Sequence, residues 1–210
     1  MRRAGTKGNE RVSGFVLAGG ASRRFGSNKA LATHRGRSLL ALALRAMREL
    51  NIHPRIVAPD PAPFRRYRAP VLTGERPGLG PVEGVRVALT HAASESSDWA
   101  LILAVDMPGV TSAVLRPLLA SIRAGGTGPA AGRTEPVVCY GEPGGRLHPF
   151  PGLYHRSVLR AFSSAPEGTS MHRVIESVGA TLLSAAFVGR IRVASALRNV
   201  NRREDLTETV

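Results

Sequence analysis

Lysine is nearly absent from this chain. Of its 29 basic residues only Lys7 and Lys29 are lysine, and the other 27 are arginine. So lopsided a ratio reads as a trace of genome composition more than as recognition chemistry. Cysteine occurs once, at Cys139, which excludes a disulfide framework and suits a reducing, cytoplasmic setting. Ten aromatic residues, with a single tryptophan and no interleaving of rings with basic residues, exclude sequence-specific nucleic-acid recognition as the leading function. No apolar run approaches the roughly 18 residues of a membrane-spanning helix. The basic start MRRAGTKGNERV is followed by no apolar segment, so no secretory signal is expected. Acidic residues are also scarce, 15 against 29 basic, and the net charge of +14 favours anionic partners such as nucleotides or phosphorylated cofactors.

What remains is ample for one core: 43% of the 210 residues are apolar. Residues 1–10 read as a flexible basic tail, 11–206 as one domain and 207–210 as a short second tail. An apolar run from Val12 to Ala18 predicts a buried strand. Ser38 predicts the N-cap of a buried helix over LLALALRAMREL. Arg55–Ala58 reads as the next strand, residues 59–84 mostly as loop, and Gly84–Thr90 as the start of a second helix. The continuous run Trp99–Val105 predicts a central strand covered on both faces. Thr111 caps a following helix that Pro117 must start, kink or divide. Pro136–Tyr140 and Gly152–Tyr154 are candidate strands. Helices over Arg156–Phe162 and Ser170–Val178 precede late strands at Thr181–Ser184 and Arg190–Ala194. Strands alternating with helices give an α/β sandwich with a mostly parallel sheet.

The chemistry concentrates in Leu17-Ala-Gly-Gly-Ala-Ser-Arg-Arg-Phe-Gly-Ser-Asn-Lys29. It is neither a Walker A loop nor a GxGxxG fingerprint. Gly19 and Gly20 nevertheless let backbone amides approach an anion, while Arg24 offers a planar fork and Lys29 a compact charge. A solvent-exposed basic turn is the plainer alternative. The loop resembles the LAGGxSxRxGxxK signature of nucleotidyltransferases that build nucleotide-linked cofactors and sugars. Within that group the chain is similar to the molybdenum cofactor guanylyltransferases. Gly80-Pro-Val-Glu-Gly84 resembles their GPLAG segment, Asp106-Met-Pro108 their DxP segment, and Asn199-Val-Asn201-Arg-Arg-Glu-Asp-Leu206 their NVNTPEDL ending. His148-Pro149 falls where the family often carries His-Pro. The order of these motifs across residues 12–206 is more specific than any one of them.

The resemblance implies a single-domain, three-layer α/β/α sandwich with a Rossmann-like sheet of the nucleotide-diphospho-sugar transferase type. It implies transfer of GMP from GTP to the terminal phosphate of molybdopterin, with or without molybdenum, releasing pyrophosphate. Arg24, Lys29 and Asp106 are the expected catalytic residues. Leu17, Ala18, Gly19, Gly20, Arg24, Lys29, Gly80, Pro81, Gly84 and Asn201 are expected to bind the nucleotide, and Asp106 with Asn201 a Mg²⁺ ion. Molybdoenzymes or their maturation chaperones are the implied recipients.

Four departures bear on substrate more than on fold. Asn28 stands where the signature has Asp, and Glu75 matches the family's acidic residue before GPLAG only approximately. Glu83 replaces a small residue, and Arg202-Arg203 replace Thr-Pro. Cytidylyl transfer to the same pterin, transfer to another phosphorylated acceptor, and a binding role without turnover therefore stay open. The six histidines form no HExxH set, Cys139 reads as a small buried strand residue, and Arg65-Arg66-Tyr67-Arg68 reads as a solvated loop.

Overall fold

The computed structural model describes residues 10–19, 28–75, 80–123, 135–188 and 191–208. Two mostly apolar segments set the centre of the molecule. Strand β1 (Val12–Leu17) lies beside a later strand, Trp99–Ala104, in parallel register from Val12↔Trp99 to Leu17↔Ala104. Adjacent residues of β1 serve opposite helical layers. At Gly14 an added Cβ would meet Ile52 and Met47, whereas the Phe15 ring meets His91 edge-on.

In chain order, a small ribbon follows β1: β2 (Thr33–His34) and β3 (Arg37–Ser38). Helix α1 (Leu39–Arg48) is capped as expected, with Ser38 Oγ accepting the Ala41 amide at 3.1 Å. The same oxygen accepts the Tyr67 hydroxyl at 2.9 Å, tying the cap to a 3₁₀ turn over Ala62–Tyr67. Ser38→Ala should therefore cost about 1–2 kcal/mol and lower the melting temperature by a few degrees, read by calorimetry. Strands β4 (Pro54–Val57) and β5 (Val71–Leu72) add outward from β1, both parallel.

Helix α2 runs from Gly80 to Ser94, four residues earlier than its expected start. Gly80–Pro81 is thus its first turn and not a loop. Pro81 is tolerated there because the first-turn amides have no intrahelical acceptor to lose. Next come β6 (Trp99–Ala104) and α3 (Ser112–Arg123). Pro117 neither starts nor divides α3, which continues through it.

The remaining strands are β7 (Val137–Gly141), β8 (Leu147–His155) and β9 (Thr181–Ser184), with helices α4 (Leu159–Ser164) and α5 (Met171–Val178) between the last two. Gly179, at φ +82°, ends α5 just after its expected last residue, Val178. Of the expected strand Arg190–Ala194, Arg190 lies outside the described residues and the remainder differs from expectation. Only Ile191–Arg192 (β11) is extended, paired with β10 (Phe187–Val188), and Val193 already opens the short helix α6 (Val193–Ala196). Burial of Val193 and Ala196 favours the turn over an extended chain there. Helix α7 (Asp205–Glu208) ends the described chain.

The main sheet has the order β5-β4-β1-β6-β8-β7-β9. Four of its six pairings are parallel, and β8 is antiparallel to both neighbours. Helices α1 and α3 pack together, as do α2 and α4, giving an α/β fold with a mixed, mostly parallel sheet flanked by helices. The chain builds outward from β1 to β5, then returns across β1 to place β6. Strand order therefore reverses between β1 and β6. In open α/β sheets a ligand crevice forms outside the carboxyl ends of the strands at that point.

Candidate functional site

The carboxyl ends of β1 and β6 deliver Leu17–Gly19 and Asp106 to that crevice. The Val105 amide donates to the Leu17 carbonyl at 3.0 Å and the Ala18 amide to the Val57 carbonyl at 2.9 Å, so the end of β1 is held from both sides. Gly19 passes close to Pro59, whose Cδ would lie 3.0 Å from any added Cβ. Gly84 fits the first turns of α2 onto Leu17, with both Leu17 methyl carbons 3.2 Å from the position of an added Cβ. Gly80 is different. Its φ is +68° and its Cβ direction is open, so its backbone conformation accounts for the glycine. The structure thus packs Gly84 on Leu17, with Ala18 and Gly19 following β1 and Gly80 and Pro81 in the first turn of α2. Gly20 and Arg24 lie outside the described residues.

Lys29 opens a 3₁₀ turn whose N-cap is Asn28, with Asn28 Oδ1 accepting the Ala30 amide at 3.1 Å. An asparagine caps as well as an aspartate, so this departure preserves the turn while removing one negative charge. Lys29 Nζ donates to Asp106 Oδ2 at 2.9 Å, between side chains that are 16% and 22% exposed. The other carboxylate oxygen, Asp106 Oδ1, is buried and accepts no hydrogen bond from the described residues. A buried, unsatisfied carboxylate oxygen is costly, which makes Asp106 a candidate to hold a ligand.

The C-terminal motif reaches Asp106 through its backbone. The Val200 amide donates to the Asp106 carbonyl at 2.8 Å, and Val200 is itself buried, leaving Asn199 and Asn201 exposed on either side. Close approach of Gly109 to Ala196, 2.8 Å from an added Cβ to the Ala196 Cα, fixes the segment after Asp106 against α6. Asp205 then clasps the loop, its Oδ2 accepting the amides of Asn201 at 2.6 Å and Arg202 at 2.8 Å. These amides, followed by the charges of Arg202 and Lys29, hold the Asp205 carboxyl below its ordinary value near 3.8. A lowered folded pKa means the clasp is fully made above that value and is released only as pH falls further. His34 Nδ1, 2.9 Å from the Leu206 carbonyl, anchors the segment beyond.

Two features escape a reading of the sequence alone. Glu83 is buried and forms a two-pronged pair with Arg86, both contacts 2.7 Å. This pairing, led by its hydrogen bonds, raises the Arg86 pKa. An added Cβ at Gly74 would come 2.7 Å from Glu83 Oε1, so the absence of a side chain at 74 admits the carboxylate. Glu75, the approximate match for the family's acidic residue, is exposed. The i,i+3 spacing of Glu83 and Arg86 is a legible pair signal, but burial is not legible from spacing. Asp205 is the second feature: one letter within a motif, its role set by loop closure.

Several expectations of plain structure match their surroundings. Cys139 is buried, which pushes its thiol pKa up to about 12 and leaves it inert. Arg65, Arg66 and Arg68 are exposed on and just after the 3₁₀ turn. Among the described residues, no three His, Cys, Asp or Glu side chains cluster to hold a metal, and no helix is long and apolar enough to cross a membrane. Mg²⁺ asks less of a protein, because it keeps waters and takes substrate phosphate oxygens beside one or two carboxylates. Asp106, whose Oδ1 accepts no hydrogen bond from the described residues, fits that requirement.

The model of the MobA-like NTP transferase domain matches residues 14–182. The chain belongs to that family. It is 35% identical over 205 residues to a probable molybdenum cofactor guanylyltransferase of Deinococcus radiodurans, covering 94% of this chain and 93% of that protein. A protein of the same description from Rhodopirellula baltica is 31% identical, with 92% and 89% covered. Among solved structures, molybdopterin-guanine dinucleotide biosynthesis protein A of Archaeoglobus fulgidus superposes with a TM-score of 0.73, covering 94% of this chain and 96% of that one at 20% identity. That likeness shows the fold, a Rossmann-like nucleotidyltransferase fold.

Proposed function

We propose that this MobA-like transferase moves GMP from GTP to the terminal phosphate of molybdopterin, or of its molybdenum-loaded form, and releases pyrophosphate. The observation that carries the reading is the Lys29–Asp106 pair at the strand-order reversal, with Asp106 Oδ1 buried and accepting no hydrogen bond from the described residues. In the reaction an acceptor phosphate oxygen bonds to the α-phosphorus of GTP. The bond to the β-phosphate bridge breaks, and its electron pair leaves with pyrophosphate. Both reactants are already anionic near neutral pH, so no general base is needed. The protein's task is to bring like charges together in line and to offset the charge that develops.

Lys29 supplies a fixed positive charge, and the first-turn amides of α2, with the backbone at Gly19, offer donors to base or phosphate. Arg24 and Gly20 are assigned to the same phosphates on the loop motif. Asp106, with Asn201 exposed next to the clasped loop, is assigned to Mg²⁺, which when bound supplies Lewis-acid charge to the α-phosphate. The nucleotide-linked cofactor then passes to a molybdoenzyme or its maturation chaperone, which places the reaction in the cytoplasm.

The clasp gives a first test of the site. Asp205→Ala should leave the fold intact and lower kcat/KM for the nucleotide by about tenfold, because the loop carrying Asn201 loses a charge-assisted tether. The function itself is tested by Mg²⁺-dependent pyrophosphate release with molybdopterin and GTP, CTP or ATP in parallel. GTP-selective release is expected. CTP preference overturns the guanylyl assignment, and no release with any nucleotide, from folded protein and intact pterin, overturns turnover itself.

A further inference from the structure

The carboxyl edge of the sheet has two halves. On one side of β6 lie β1, β4 and β5, with Ala18 and Gly19 following β1. On the other side β7 runs in the same direction as β6, since β8 is antiparallel to both. The end of β7 and the beginning of β8 therefore lie at the same edge as Asp106. The hairpin joining them closes with the Glu142 amide donating to the Arg146 carbonyl at 2.9 Å.

Two side chains meet at the base of this hairpin. His148 Nε2 is 2.7 Å from Glu142 Oε1, and the side chains are 12% and 31% exposed. A carboxylate only accepts, so the ring donates from Nε2, and Glu142 thereby fixes both tautomer and ring orientation. His148 Nδ1 makes no hydrogen bond with the described residues. Beside it, His172 Nε2 donates to the Leu147 carbonyl at 3.2 Å, fastening the start of β8 to α5. Next to His148 the pairing of β7 with β8 is broken, because Cys139 faces Gly152 while Tyr140 faces His148. The extra residues of β8 form a bulge, secured by the Tyr154 hydroxyl on the Pro149 carbonyl at 2.7 Å. Bulges of this kind re-aim side chains beside active sites.

Displacement at phosphorus is in line, so the entering acceptor and the leaving pyrophosphate lie on opposite sides of the α-phosphorus. With the nucleotide on the β1 side, the acceptor enters over β8 and β7. We propose that His148, oriented by Glu142, is the contact for the acceptor's phosphate, donating from Nδ1 when the ring is protonated. This assignment rests on the transfer reaction proposed above. Glu142 is a positioning residue and acts through His148.

Two readouts separate this inference from that reaction. In the first, phenyl phosphate is titrated into the intact chain while the His148 ring nitrogens are followed by NMR, with His148→Gln identifying the signals. A saturable shift at His148 Nδ1, larger than at His155 and His172, is expected. In the second, steady-state kinetics should show His148→Ala raising the acceptor KM about tenfold or more, with the Kd for GTP unchanged within twofold. Glu142→Gln should raise the acceptor KM less, and His148→Lys should restore part of the loss. An unmoved His148 signal, or a folded His148→Ala variant with unaltered acceptor KM, overturns the inference. A shifted signal in a chain that releases no pyrophosphate overturns the transfer reaction and leaves the phosphate contact standing.

Discussion

Replacing Asp106 with asparagine should reduce pyrophosphate release by about a thousandfold, with the fold and melting temperature nearly unchanged. The carboxylate stands just after β6 with Oδ2 on Lys29 and Oδ1 buried with no partner among the described residues. Folding gains little from such a group, because a buried unsatisfied oxygen opposes stability. Asparagine has similar size and keeps an oxygen able to accept from Lys29, so packing is preserved. The negative charge that offsets Lys29 and fits Mg²⁺ is lost. The variant is measured by Mg²⁺-dependent pyrophosphate release alongside calorimetry. Near-normal turnover in the folded variant would sink the metal assignment, and a collapse in melting temperature would make Asp106 structural.

Trp99→Ala should have the opposite profile, costing about 3–5 kcal/mol of stability, a third or more of what a domain of this kind commonly has. Trp99 opens β6 at the far end of the strand from Asp106 and has no exposed surface. Its ring meets His155 edge-on at 5.0 Å, and its indole N–H donates to Glu10 Oε2 at 2.6 Å. That bond fastens Glu10, at the border of the expected tail, to the core. Truncation leaves a cavity between β1 and β8 that neither can close without breaking register. Melting should fall by roughly 10 °C or more. Trp99→Phe should retain most of the burial and lose only about 1–2 kcal/mol with the indole bond. Chemical denaturation of the two variants separates cavity from hydrogen bond. Equal losses would show that the polar contact, not the ring's volume, dominates.

Local patterns carried much of the fold. Trp99–Ala104 is an unbroken apolar run, and Val12–Leu17 is broken only at Ser13 and Gly14, because both faces of a central strand are covered by helices. Ser38, Ser170 and Gly179 announce helix ends because capping satisfies backbone groups within a few residues. The misjudged boundaries lie where tertiary burial outweighs local preference. Gly80–Pro81 reads as a loop by composition, yet packing of Gly84 against Leu17 continues the helix back to it. Val193–Ala196 has strand-like letters but turns inward to bury Val193.

The site divides in the same way. The sequence by itself determined the family and the central strands and marked Lys29, Asp106 and the glycines as candidates, because apolar runs, capping residues and short motifs are written in residues near one another along the chain. Only the tertiary structure joined Lys29 to Asp106 across 77 positions, set Asp205 beneath the Asn201 loop, admitted Glu83 beside Gly74, and paired His148 with Glu142 at the second half of the sheet edge. Those contacts depend on strand order and direction, which fix the distance between charges and have no counterpart in local spacing.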